Sequence, residues 1–304
     1  MAYAGLGPLP RSMLTVNVNG LSNPAKRRHF FLQLMHGHWD VIVLLETHCA
    51  SQQVADAWLQ EGAGPGQPWR GRSHWCMGTS ASCGVAILFG PDFVGSDLRL
   101  DAHDADGRLL RVSWALHDGR RCACLAVYAP VLPADRRAFL GVDGSLQQAL
   151  VGDAPGGGLV FMAGDFNCAL SGADVLGGER AAGSRAVGAA ALADLLAAQG
   201  LVDVWGSLHG GRPSLANDAF TRLSRVASGG VTGARLDYIM APATLVAGGW
   251  VRACGHRWDV APGDHAAVEL HLQPPRHTPG GLGIGCSRMS CCGMSLSLSL
   301  RRTA

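Results

Sequence analysis

Residues 159–167 read Leu-Val-Phe-Met-Ala-Gly-Asp-Phe-Asn. An apolar run the length of one buried strand, Leu159 to Ala163, meets a glycine and then an acid and an amide two positions apart. Such a run is far short of the roughly 18 to 20 residues that span a bilayer. Polar groups placed just after a buried strand lie where an α/β scaffold opens a shared crevice. The same pattern recurs along the chain. Met13 to Val18 leads to Asn17 and Asn19, Asp40 to Leu45 leads to Glu46, and Arg121 to Tyr128 ends on its tyrosine. Leu236 to Met240 contains Asp237, and Ala266 to Leu272 follows Asp264 and His265. Gly84 to Phe89 and Leu109 to Leu116 read as further strands.

Between these runs the spacing predicts helices over Pro24 to Gly37, with Asn23 as cap and proline in the first turn, and over Ser51 to Gln60, Ala134 to Val151 and Gly188 to Gln199, the last closed by Gly200. Hairpin-like neighbours among the strands favour two face-to-face sheets over a doubly wound parallel sheet. The predicted class is therefore α/β, a four-layer α/β sandwich of two packed mixed β-sheets flanked by helices. Its domain runs from 12 to 273, after a flexible N-terminus (1–11) and before a low-complexity tail (274–304) expected to be disordered.

Composition narrows the function classes. At 48% hydrophobic and 16% charged residues, most of the 304-residue chain should fold. The formal net charge is +2, but the tail carries Arg276, Arg288, Arg301 and Arg302 and no acid, so the remainder is net negative. Bulk electrostatics therefore give no support to a nucleic-acid partner, and any contact with a polyanion must be local. The ten cysteines show no CxxC pair, and Cys286, Cys291 and Cys292 lack the histidine of a zinc knuckle. Reduced thiols and the absence of a basic-then-apolar leader in Met1 to Arg11 point to a nuclear or cytoplasmic protein, not a secreted one, with no membrane partner.

Each polar residue alone reads as an ordinary turn, cap or strand end. Together, an acid after an early strand, an acid-x-amide after a glycine and a late acid-histidine pair supply hard oxygen ligands and one titratable base. That set suits Mg²⁺, with Mn²⁺ as a substitute, better than zinc. It is apt for hydrolysing a phosphodiester.

In order, LTVNVNGL (14–21), LLETH (44–48), GVAILF (84–89), VYAP (127–130), MAGDFN (162–167), RLDYIM (235–240) and GDHAAVEL (263–270) resemble the signature blocks of the endonuclease/exonuclease/phosphatase superfamily. The chain is most similar to the apurinic-type endonuclease domain of non-LTR (LINE-type) retrotransposons, from about Leu14 to Leu272. The resemblance implies a Mg²⁺-dependent DNA endonuclease that leaves a 3′-hydroxyl nick. It assigns metal binding to Glu46, with Asn17 and Asp264 shaping the cation site. Asp165 would orient or deprotonate the attacking water, Asn167 and Tyr128 would meet the phosphate, His265 the phosphate or the water, and Asp237 would fix the imidazole tautomer. Asn19 stands where repair members carry aspartate, and Gly263 where serine often precedes the Asp-His pair.

Substrate contacts are expected from Asn19 and from Thr221 to Arg235, read as a hairpin around Gly229-Gly230 that carries Arg222, Arg225 and Arg235. In the retrotransposon endonucleases the corresponding hairpin influences where DNA is cut. For Lys26, Arg27 and Arg28, phosphate contact and a solvated face stand open together; Trp258 and His256 could meet a sugar or base, or simply pack. Two further functions are weighed. A phosphomonoesterase of the same superfamily, of inositol phosphate or lipid type, would carry a late Cys-Asp-Arg motif where this chain has RLDYIM. A non-catalytic truncated retroelement remnant is opposed by the intact Glu46, Asp165, Asp237, Asp264 and His265.

Overall fold

A strand that is apolar at every position must be covered on both faces. In the computed structural model, which describes residues 9–150, 158–176, 183–210, 219–225 and 230–275, β1 (Ser12–Asn17) and β2 (Val41–Leu45) are buried throughout. They run parallel, joined by the crossover helix α1 (Pro24–Gly37), whose cap Asn23 accepts the Lys26 N–H. Flanking them are β3 (Ser73–Cys76), β4 (Val85–Phe89), β13 (Val251–Arg257) and β14 (Ala267–Leu272), in the order β13-β14-β1-β2-β4-β3. The second sheet has the order β5-β6-β7-β8-β12-β9, built from β5 (Ser96–His103), β6 (Leu109–Ala115), β7 (Arg121–Tyr128), β8 (Leu159–Asp165), β9 (Leu201–Asp203) and β12 (Asp237–Pro242). Among the described residues only β1 with β2 and β7 with β8 pair in parallel; the other pairings are antiparallel.

Alternate residues of each strand face opposite ways. Met13, Val41, Val43 and Leu45 meet Cys124, Ala126, Phe161 and Ala163 between the sheets. Trp114 closes that layer edge-on to Phe89 and Phe93, at ring distances of 5.9 and 5.4 Å. The opposite parity, Leu14, Val16, Ile42 and Leu44, lies under Phe30, Phe31 and Leu34 of α1 and Trp58 of α2 (Gln52–Glu61). Leu125, Val127, Met162 and Met240 lie under α3 (Pro133–Leu140), α4 (Ser145–Leu150) and the helix Ala189–Ala198. The expected four layers are present. The single helix expected from Ala134 to Val151 is instead two, Pro133–Leu140 and Ser145–Leu150, and the link between them needs Gly144, where a Cβ would stand 2.3 Å from the Phe139 carbonyl oxygen. Val151, residues 1–8 and the tail from 276 lie outside the described residues. Among the described residues no helix is long and apolar enough to cross a membrane.

The expected hairpin forms from β10 (Arg222–Arg225) and β11 (Val231–Ala234); its turn at 226–229 lies outside the described residues. Its root is tied down twice, by a bridge from Arg222 to His265 and another from Ala234 to Val175. Arg235 departs from its expected place among the substrate contacts. It is 3% exposed, with Nε donating to Asp174 at 2.8 Å and Nη1 to Asp203 at 2.6 Å, and its guanidinium lies over Trp205 and Tyr238. Two carboxylates and two rings consume every face of it, which makes it a strut of the hairpin root.

Gly164 explains the glycine of the opening stretch. At φ +155° it lies so close to β7 that a Cβ would stand 1.9 Å from the Val127 carbonyl oxygen. Gly164→Ala is expected to destabilise the fold by about 3 kcal/mol, measured by urea unfolding. Arg235→Leu leaves Asp174 and Asp203 buried without their partner and is expected to cost about 3–5 kcal/mol in the same measurement. Arg225→Ala, at an exposed position, should stay within about 0.5 kcal/mol of the parent.

Candidate active site

The two-residue period of the strands decides which polar groups meet. Asn17 shares parity with Met13, Asp165 with Phe161, Tyr128 with Cys124 and Asp237 with Ile239, and those four apolar residues all face the space between the sheets. The polar four therefore point into the same layer, at one open end of it. Register completes the arrangement: Tyr128 and Asp237 both stand opposite Asp165 on its two neighbouring strands. Glu46 follows β2 directly and His265 precedes β14.

The contacts cross from sheet to sheet. Asn17 Nδ2 donates to Glu46 Oε1 at 2.7 Å and to Asp165 Oδ2 at 3.1 Å. His265 Nδ1 lies 2.8 Å from Asp237 Oδ2 and 3.8 Å from Asp165 Oδ2. The Asn167 N–H donates to Asp165 Oδ1 at 2.8 Å, and its side-chain amide donates to the Ala129 carbonyl at 2.9 Å. Tyr128 stands beside Glu46 and Asp165. Asn19, Glu46, His48 and Asn167 all take left-handed φ values between +45° and +56°. For glutamate and histidine that geometry costs about 1 kcal/mol or more each, and such strain collects at functional sites.

Burial, and then the Asp237 charge, push the Asp165 carboxyl well above the ordinary carboxylate range, against the pull of His265. Burial would depress the His265 imidazole, but Asp237 and then Asp165 outweigh it and raise its pKa. A proton on the imidazole is thus held between two buried acids. Burial, with the Glu46 charge next, raises the Tyr128 hydroxyl, so it remains a donor. Among the described residues, Asp165, Asp237 and His265 form a cluster whose donor atoms lie within 4.8 Å of one another. Asp237 Oδ1 is buried with no hydrogen-bond partner, and the Glu46 carboxylate is half exposed at the mouth. Hard oxygens of this kind fit a small divalent cation.

The remaining expected residues lie around the rim. Asp264 is exposed and accepts from Arg222 Nη2 at 3.3 Å. Asn19 is exposed, its N–H donating to Asn17 Oδ1 at 3.0 Å, and Arg225 is exposed further along the hairpin. His256 packs, stacked on Trp205 at 5.0 Å, while Trp258 stays partly exposed. Three contributors escaped the sequence reading. Thr221 is buried and its hydroxyl accepts the N–H groups of Leu236 and Asp237, fixing the start of β12. Arg108 covers the Tyr128 ring at 5.1 Å. His48 lies 3.7 Å from Glu46 Oε2. Of these, His48 had a sequence signal in its place in the quoted block LLETH, and Thr221 in its place at the start of the expected hairpin.

Known proteins share this architecture. The chain is 30% identical over 262 residues to the transposon TX1 uncharacterized 149 kDa protein of Xenopus laevis, which covers 86% of this chain but 18% of that protein. It superposes on the AP endonuclease LMAP of Leishmania major with a TM-score of 0.67 at 18% identity, covering 88% of each chain. A 3′ phosphatase from Neisseria, solved with a product DNA hairpin, gives a TM-score of 0.59 at 19% identity over 86% of this chain and 99% of that one. These two likenesses establish a shared fold. Residues 14–265 match the Endonuclease/Exonuclease/phosphatase family, and the chain belongs to that family.

Proposed function

We propose that the chain is a DNA endonuclease that hydrolyses a phosphodiester and leaves a 3′-hydroxyl nick. One observation carries the reading: the unbroken chain of side chains from His265 and Asp237 through Asp165 and Asn17 to Glu46, drawn from both sheets and meeting at one mouth. Asp165, raised above the usual range of an acid, is a stronger base than an ordinary carboxylate and can take the proton of an attacking water. His265, kept protonated by its acid neighbours, presents positive charge to a phosphate oxygen. Asp237 holds the imidazole through Nδ1, which leaves Nε2 for the substrate. Tyr128 and Asn167 add O–H and N–H donors beside the same phosphate. Mg²⁺ or Mn²⁺, held by Glu46 with Asn17 and Asp264 at its edge, would supply Lewis-acid stabilisation of the leaving oxygen.

DNA as substrate is supported by the DNA-bound Neisseria phosphatase of the same fold and by Arg222 and Arg225 on the hairpin that rises beside His265. The intact network speaks against a decayed remnant. With Mg²⁺, the protein should convert supercoiled plasmid to open circles whose ends a polymerase extends. Asp165→Ala and His265→Ala should each lower the rate about 100-fold or more. Chelation with EDTA should abolish nicking and added Mg²⁺ restore it. Equal nicking by parent and Asp165→Ala would reject the mechanism. Release of inorganic phosphate from inositol phosphates without nicking would favour the phosphomonoesterase.

A further inference from the structure

Lys26, Arg27 and Arg28 are three consecutive cations at the start of α1, and the fold sends them in different directions. Arg27 is buried; it donates to Glu61 and, at 2.8 Å, to the Leu21 carbonyl, and its guanidinium lies over Trp58. Arg28 donates to Glu61 at 2.6 Å. Both fasten α1 to α2. Lys26 turns toward the candidate active site instead. Its ammonium donates to the carbonyls of Val18 at 2.6 Å and Asn19 at 2.8 Å.

Those carbonyls belong to the turn that follows β1. The turn is held from one side by the Gly20 N–H on the Glu46 carbonyl at 2.7 Å and the Leu21 N–H on the Thr47 carbonyl at 3.1 Å. From within, the Asn19 N–H is bonded to the Asn17 side chain at 3.0 Å. Asn19 and Gly20 adopt φ values of +45° and +80°, and their carbonyl side has Lys26 as its brace. Gly263 lies against the opposite face, where a Cβ would stand 3.3 Å from Asn19 Cβ. An ammonium has three N–H groups, and two of these are committed here. Although half burial lowers the Lys26 pKa, Asp264 and Glu46 are the charges that favour its protonated form.

We infer that Lys26 is a positioning residue: its ammonium clamps the Asn17–Gly20 turn, and through that turn it sets the Asn17 amide between Glu46 and Asp165. The catalytic part of this inference rests on the phosphodiesterase reading; the structural part does not. A displacement of about 1 Å among reacting groups can cost about 100-fold in rate, so the clamp acts on turnover more than on DNA binding.

The test compares the parent protein with Lys26→Met and Lys26→Arg by two readouts. In Lys26→Met, amide hydrogen exchange at Gly20 and Leu21 should accelerate about tenfold or more while the core amides of β1 and β8 stay protected. Its kcat for plasmid nicking should fall about 10- to 100-fold with KM for DNA within about threefold. Lys26→Arg keeps the charge and can donate to both carbonyls, so it should recover most of both properties. Unchanged exchange in Lys26→Met overturns the clamp whatever the activity. A raised KM with intact kcat makes Lys26 a plain DNA contact and likewise overturns it. If exchange responds as expected but the parent protein nicks no DNA, the positioning role stands and the endonuclease reading falls.

Discussion

Side-chain contacts cross the gap between the sheets at its open end, among them Asn17 to Asp165 and His265 to Asp237. Everything polar at the site depends on this seam. Below it, Met13, Val43, Phe161 and Ala163 pack the two sheets at a fixed separation, and close packing of that kind resists small displacements. The apolar layer is therefore what brings acids from strands distant in sequence to within hydrogen-bonding reach. Deleting a buried methylene group there would be felt at the seam as a change of distance between charged groups.

The seam also sets an electrostatic problem. Asp165 and Asp237 are buried side by side, with Glu46 and Asp264 nearby, and like charges crowded in this way call for a compensating charge. His265 supplies one from between the buried pair. Arg222 and Lys26 approach Asp264 and Glu46 from the rim. The cations belong to the hairpin root, the last strand connection and the first helix, so the charge balance is distributed over the fold. The basic residues at the site are few and placed one at a time, so bulk net charge gives no view of them.

Much of this was legible in the sequence, because the strands that carry the chemistry are the most apolar ones. Runs such as Val41–Leu45 and Leu159–Ala163 declare buried strands, and the polar residue at each end marks the mouth. Their parity was not legible: when both faces of a strand are covered, no alternation of apolar and polar residues shows which side chains look inward. The edge strands β3, β5 and β13 were missed for the opposite reason. Ser96–His103 is largely exposed and bulged against β6, so its sequence resembles a loop. Arg235 was misplaced because hairpin arginines look alike until Asp174 and Asp203, far apart in the chain, converge on one of them. Lys26 could not be separated from Arg27 and Arg28 without knowing where Glu61 lies.

The root of the hairpin has one more implication. Thr221 holds Leu236 and Asp237 by its hydroxyl and Ala266 by its carbonyl, so the acid and the imidazole are anchored by a single residue that precedes the arm. The described strands of the arm, Arg222–Arg225 and Val231–Ala234, start from that anchor. An exchange confined to that arm would leave the anchor in place, and with it the acid and the imidazole that it fixes.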